Sequence, residues 1–288
     1  MAVDARVLET ELSGLDALEA TGVAPRSIWV RTWSALWPKL LAVGLALLFW
    51  QVVVWSHWRS TYALPPPARV LREFFGLLDE SRFHTAIWTT LQRAVAGYSL
   101  AIVIGGLLGL AVARIRVLRV GVGSLITGLQ TMPSIAWFPL AIMLFKLSES
   151  AILFVVVLGA APSIANGIIS GVDHVPPLLI RAGRSMGARG VSLYRSVVLP
   201  AALPATVAGL KQGWAFAWRS LMAGELIVII ANKPSVGQQL QYSRELSDVP
   251  ALMSWMLVIL VVGMVVDSLF GRADASLRRR WGLIDPAT

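Results

Sequence analysis

Six apolar runs, each long enough to cross a bilayer, leave this chain few ways to fold. A spanning helix needs roughly 20 mostly apolar residues, and such runs lie at about 36–55, 87–113, 120–145, 151–172, 201–231 and 252–270. The third is interrupted by Pro133 and Pro139, and it stands so close to the fourth that the two look like one helical hairpin. Only 14% of the 288 residues are charged, against about 25% in a soluble domain. Twelve Trp suit a protein with two membrane–water interfaces, where indole rings settle. The expected fold is an all-α polytopic membrane protein of about six transmembrane helices. Residues 36–275 form its transmembrane domain, 1–35 an N-terminal segment and 276–288 a basic tail.

The chain has no Cys, which removes disulfides, thiolate chemistry and Cys-based metal sites. His57, His84 and His174 are far apart and lack HExxH spacing, so no metal site is expected. A phosphate-binding loop needs a Gly-rich turn and a Lys, yet none of Lys39, Lys146, Lys211 and Lys233 follows a Gly. Neither a nucleophile elbow nor paired intramembrane aspartates are expected, so the chain reads as no enzyme, with no cofactor of its own. The net charge of +9 does not point to nucleic acid. Its basic residues cluster at the ends of apolar runs rather than along a soluble stripe.

Those basic residues orient the chain. With both ends inside, the inner side holds Arg6, Arg26, Arg31, Lys39, Arg114, Arg116, Arg119, Arg181, Arg184, Arg189, Arg195, Arg272, Arg278, Arg279 and Arg280, fifteen in all. The outer loops hold seven: Arg59, Arg69, Arg72, Arg82, Lys146, Lys233 and Arg244. The remaining three lie within spans. Excess Lys and Arg mark the cytoplasmic side, so both termini are expected in the cytoplasm. Residues 1–30 carry Asp4, Glu9, Glu11, Asp16 and Glu19, unlike the basic start of a signal peptide. Leu8, Leu12 and Leu15 there share a helical face, which fits a short amphipathic helix as well as a frayed tail.

Between the fourth and fifth runs lies RAGRSMGARGVSLYRSVVLPAALP, Arg181 to Pro204, amphipathic and too polar to span. Pro176 and Pro177 stop the fourth helix from continuing. Residues 178–188 are expected as a short helix, with Arg181, Arg184 and Ser185 on one face and Leu179, Ala182 and Met186 on another. Gly187 permits a sharp turn or a close approach by a partner. Leu199-Pro200 is expected to end a second short stretch, and Leu203-Pro204 to open the fifth span. On residues alone, an interfacial linker whose arginines meet lipid phosphates stands beside a protein contact.

In the fifth span, Lys211, Trp214, Trp218 and Glu225 fall within about 60° of one another, with Arg219 about 80–100° away. A charge at a helix centre costs about 2.5–3.5 kcal/mol on insertion, so such groups face protein or a water-filled path. One reading is an anion route with Arg219 or Lys211 as the attracting charge, joined by Met132 and Pro133 of the interrupted third run. The other is a buried ion pair locking helices. In the second span, Gly97, Ala101, Gly105, Gly109 and Ala113 recur every four residues, a spacing that lets helix backbones touch. That face fits either a contact between two copies or packing within one.

The Arg181–Pro204 loop resembles the one by which permease subunits of bacterial ABC importers grip their ATPase. That pattern begins Glu-Ala-Ala, has a Gly four residues after the last Ala, and ends in Leu-Pro. Ala182, Gly187, Leu199 and Pro200 stand at the matching places. It also looks like the variant of sulfonate, taurine and nitrate permeases, roughly ARSLGA then VVLPAALP, matched by Gly183-Arg184-Ser185-Met186-Gly187-Ala188 and by Val197 to Pro204. Arg181 stands where the family carries Glu, and Gly183 where it carries Ala. Leu64-Pro65-Pro66-Pro67 with Val70, Met132 to Leu140, Ser148 to Ala151 (with Lys146 for a usual Gly) and Arg244 to Asp248 resemble further family elements in order. Glu225 also falls where the family usually carries Glu.

The resemblance implies a type I ABC importer permease with a coupling helix in the loop at about 176–200. It implies a permease homodimer in the cell membrane, two ATPase subunits that bind ATP and Mg, and an extracytoplasmic binding protein that delivers cargo. The ATPase contact would be Arg181, Ala182, Gly183, Arg184, Ser185, Gly187, Ala188, Leu199 and Pro200. The binding-protein contact would include Lys146, Glu149, Arg244 and Asp248. The implied cargo is an aliphatic sulfonate or taurine, with nitrate, bicarbonate or a thiamine-type pyrimidine as alternatives. An ion-coupled secondary transporter is the rival of a different class.

Overall fold

A computed structural model describes residues 28–280, so the Leu8–Leu15 helix expectation lies outside the described residues. The chain divides into two compact units, 1–61 and 62–288. In the first, helix α1 (Ile28–Trp55) is apolar on all faces and carries the expected first span, Leu36–Trp55. It begins eight residues before that span, with Pro38 tolerated inside it.

The second unit opens with α2 (Pro67–Leu77), an amphipathic helix with Pro at its start, where the missing N–H costs nothing. It buries Val70 and Leu77, and Ser254 Oγ donates to Val70 O at 3.0 Å. Then come α3 (Ser81–Arg114), α4 (Arg116–Thr131), a 3-10 turn (Ser134–Trp137) and α5 (Phe138–Phe145). Met132 is extended, as a residue before Pro prefers, so α4 stops there. The pieces on either side of the break meet at 103°. The third run is therefore no straight span. Five described helices are long and apolar enough to cross a membrane, and six spans result if the bent pair counts as one.

The remainder is α6 (Glu149–Asp173), α7 (Pro177–Ser185), a helical turn (Val191–Leu193), a π-helical turn (Tyr194–Val198), α8 (Leu199–Ile227), α9 (Val236–Glu245) and α10 (Val249–Arg280). Two boundaries differ from expectation. Helix α8 ends at Ile227, not near 231, because the chain turns extended at Val228. Helix α10 runs to Arg280, ten residues past the apolar run. Pro204 does not open the span: it lies inside α8, which starts at Leu199 with Pro200 in its first turn and runs on from the π-turn without a break. The π-turn explains this. Pro200 lacks an N–H and would crowd the carbonyl four residues back, and a widened turn relieves that.

Helix α6 is the centre of the bundle, packed between α3 and α8. Gly167 and Gly209 face each other so closely that a Cβ on either would lie 2.5 Å from the other's Cα. The small-residue stripe of α3 packs the same way within the subunit. A Cβ on Gly97 would meet Val156, on Gly105 the Ala161 carbonyl, and on Gly109 the Ala165 carbonyl. Of the two readings of that stripe, packing inside one copy is the one observed. Lipid offers no hydrophobic drive between helices, so backbone contact of this kind supplies the attraction. Phe138, Ile152, Ile164 and Leu221 fill the core between these helices.

Candidate functional site

The loop between α6 and α8 is a built structure. Helix α7 starts on Pro177 and stops at Gly187, whose φ is +86°. Ala188 N–H donates to Gly183 O and Gly187 N–H to Arg184 O, both at 3.0 Å. These are the two bonds of a glycine-terminated helix end. Gly183 is buried: a Cβ there would sit 2.8 Å from Val197 Cγ2 and 3.0 Å from Leu193 Cδ1. This close seat explains glycine in place of alanine. Arg181, Ala182, Arg184 and Ser185 stay exposed, beside Leu178 (69% exposed) and Met186 (86%). Ala188 is half-buried, and Leu199 and Pro200 join the loop to α8 through the π-turn. The Arg114 guanidinium lies 5.6 Å above the Tyr194 ring, and Arg119 pairs with Asp173 at 2.6 Å. Arg114 thus ties the loop to the end of α3, and the Arg119–Asp173 pair joins α4 to the end of α6 from which the loop departs.

Gly183, Ser185 and Gly187 also spell GxSxG, the string of a nucleophile elbow. A nucleophile elbow needs that serine on a strand-to-helix turn. Here Ser185 sits in the last turn of α7, and no strand occurs among the described residues.

The intramembrane charges separate into distinct places. Glu225, one of the path candidates, is fully buried. It faces α3 and α9: Arg93 Nη1 donates to its Oε1 at 3.0 Å, Thr90 Oγ1 to its Oε2 at 2.9 Å, and the Gly237 N–H to Oε2 at 3.0 Å. Arg93, 5% exposed, also grips Glu149 through Nε at 2.7 Å and Nη2 at 2.9 Å. Lys233 Nζ completes the cluster on Glu149 Oε1 at 3.2 Å. The Val236 N–H donates to Thr90 Oγ1 at 3.0 Å, so the start of α9 is capped by Thr90 and Glu225 together. One junction therefore fastens α3, α6, α8 and α9. The buried-pair reading holds for Glu225, but its partner is Arg93, which sequence reasoning missed.

Arg219 is elsewhere. It is exposed, its Nε donates to Ala215 O at 3.0 Å, and its guanidinium lies 4.7 Å over the Phe216 ring. It pairs with no carboxylate among the described residues. Met132 and Pro133 line the same recess of about 280 Å³. Trp214 and Trp218 stack at 6.0 Å along a second groove, between α8 and α10, that Arg219 also borders, and Lys211 pairs with Asp267 at 3.3 Å. Of the path candidates, the structure groups Met132 and Pro133 with Arg219 in one recess and Trp214 and Trp218 with Arg219 in the other.

The outer-loop candidates also divide. Glu149 is engaged by Arg93 and Lys233, and Asp248 Oδ1 accepts the Ala251 N–H at 3.2 Å, capping α10. Lys146 and Arg244 are exposed. Lys146 has φ +59°, a backbone that favours glycine, which accounts for the family's usual residue there.

The profile described as "Binding-protein-dependent transport system inner membrane component" matches residues 101–281. A putative aliphatic sulfonates transport permease of Escherichia coli is 31% identical, over 87% of this chain and 92% of its own. A taurine transport system permease of the same organism is 26% identical over 78% and 82%. A putative ABC transporter permease of Methanocaldococcus jannaschii is 28% identical over 80% and 86%. Among solved structures, the inward-facing methionine ABC transporter shares the fold with TM-score 0.59 and 19% identity, over 68% of this chain and 96% of that one. A bundle of several apolar helices and a profile match over more than half its length place this chain in the family of binding-protein-dependent transport system inner membrane components: it is a multi-pass ABC importer permease.

Proposed function

We propose that this permease moves a small anion of the aliphatic sulfonate or taurine class inward across the cell membrane, powered by a separate ATPase. Two copies form the path, two ATPase chains bind ATP and Mg on the inner side, and an outer binding protein delivers cargo near Lys146 and Arg244. The carrying observation is α7, a helix stopped by Gly187 that presents Arg181, Arg184, Leu178 and Met186 outward. Arginines flanked by exposed apolar side chains fit a protein groove better than solvent. Closure of the ATPases would push this helix, and the Arg114–Tyr194 and Arg119–Asp173 contacts would carry the push to α3, α4 and α6. Arg181, a cation where the resemblance gives Glu, calls for an acidic or carbonyl-rich surface on the ATPase.

The cargo class is supported by the names of the sulfonate and taurine relatives and by Arg219 in the α8 span. A nitrate import permease of Synechocystis, 24% identical over 66% of this chain, keeps nitrate as the second reading. Both termini are proposed to be cytoplasmic, from the excess of inner Lys and Arg. The chain has no Cys, so a single Ser192→Cys is a clean probe. It should resist a membrane-impermeant thiol reagent applied outside and react once the membrane is opened. Reaction from the outside would reverse the orientation and put the loop beyond reach of an ATPase.

A further inference from the structure

We propose that the recess beside Arg219 is a cargo site in the permease itself, built for an oxyanion that carries a short aliphatic chain. This rests on the reading of the chain as an anion permease and goes beyond it. A lining that only let anions pass would need a charge and a wet wall. This recess has one charge, Arg219, with Gln130, Thr131 and Ser134 on its polar side and an apolar face of Ile135, Phe216 and Ala223.

It lies where the middle of α8 faces the break between α4 and α5, and it measures about 280 Å³. Arg219 is the one charged residue that lines it. With Nε bound to Ala215 O and one guanidinium face over Phe216, the side chain is oriented, and its Nη groups remain for a ligand. Such a planar pair of donors matches two oxygens of one oxyanion. The Ser134 hydroxyl, also in the lining, makes no hydrogen bond within the described residues and can serve a third oxygen. Gln130 and Thr131 also line the recess; the Gln130 side-chain carbonyl oxygen accepts from Asn166 and the Thr131 hydroxyl donates to Gly128 O. The face formed by Ile135, Phe216 and Ala223 presents carbon. A bare inorganic anion such as nitrate must be solvated on every side, and the Ile135, Phe216 and Ala223 face offers no partner to the side turned toward it. An alkanesulfonate turns its oxygens to Arg219 and Ser134 and lays its carbon chain on that face, which is the favourable way to cover it. Ala223 stands one helical turn beyond Arg219, on the same face. Its small side chain leaves the space that a chain of several carbons would fill. The site therefore reads both ends of the cargo, independently of the binding protein.

The test uses the permease–ATPase complex in lipid nanodiscs without binding protein, titrated calorimetrically with ethanesulfonate, hexanesulfonate and sodium nitrate. Wild type should bind both sulfonates, and nitrate about tenfold more weakly or not at all. Arg219→Gln should weaken both sulfonates by about tenfold or more, the loss of a charged hydrogen-bond pair. Ala223→Leu should remove hexanesulfonate binding while ethanesulfonate changes little, which loss of fold would not produce. Each variant is accepted as folded if it stays assembled and keeps its basal ATP hydrolysis. Nitrate binding as tight as hexanesulfonate, or Arg219→Gln binding at wild-type strength, overturns the proposal. If the complete transporter takes up ethanesulfonate although none binds to the permease, the site falls and the anion permease stands. If it takes up no anion at all, both fall.

Discussion

Arg93→Leu should unfold or disassemble this permease at temperatures where the wild type is intact. The change leaves Glu225 fully buried without its cation and strips Glu149 of its two-pronged partner. Removing one member of a buried ion pair costs roughly 3–5 kcal/mol, because the stranded charge has lost its compensation. Glu149, about one-third exposed and still held by Lys233, can recover partly in water. Glu225 cannot, since only Thr90 and the Gly237 N–H remain to it. Arg93→Leu combined with Glu225→Gln should therefore be more stable than Arg93→Leu alone, as the amide still accepts both of those bonds. Melting temperature in detergent for wild type, both single variants and the double variant measures this. An Arg93→Leu protein that melts with the wild type would mean that the junction does not hold α3, α6, α8 and α9 together.

Gly187→Glu should abolish transport with the bundle intact. Gly187 has φ +86°, and a side chain there costs about 1–2 kcal/mol of backbone strain. No atom lies within 4 Å of where its Cβ would point, so no clash arises inside this chain. The bulk and negative charge project outward, beside Arg184 and Met186, into the space proposed for the ATPase groove. Gly187→Asn controls for strain, since Asn tolerates the left-handed region. The Asn variant should keep most of its uptake. The Glu variant should lose assembly with the ATPase, or hydrolyse ATP without responding to loaded binding protein. Wild-type uptake by Gly187→Glu would remove the loop from that contact.

Much of this architecture could be read from residue pattern, because lipid makes apolar length decisive. The expected spans and the observed helices α1, α3, α6, α8 and α10 coincide apart from their ends. The ends differ because helices continue past the apolar run where polar partners exist, as α10 does to Arg280. The break at Pro133 was legible, whereas its 103° angle depends on where α5 finds α6. The π-turn was hidden because it depends on the Pro200 ring meeting a carbonyl in three dimensions. Arg93 is the instructive miss. The stripe Gly97, Ala101, Gly105, Gly109 has a period of four, and one step further back lands on residue 93. A cation on a face packed against another helix needs a buried acid, and Glu225 lies in the fifth span. Glu225 was instead grouped with Trp214 and Trp218 from its angle on α8. The neighbours change along the helix, from the Tyr98 and Phe270 rings beside Trp214 to Thr90, Arg93 and the start of α9 beside Glu225.

The central claim is that this chain carries cargo only as the membrane part of an ATP-driven importer. Uptake of radiolabelled taurine or ethanesulfonate into proteoliposomes holding the permease, its co-purified ATPase and the loaded binding protein tests it most directly. Uptake should require ATP and stop when the phosphate-binding Lys of the ATPase is replaced by Ala. It should be indifferent to collapse of proton and sodium gradients. Accumulation by the permease alone on an ion gradient, with no ATPase present, would contradict the claim.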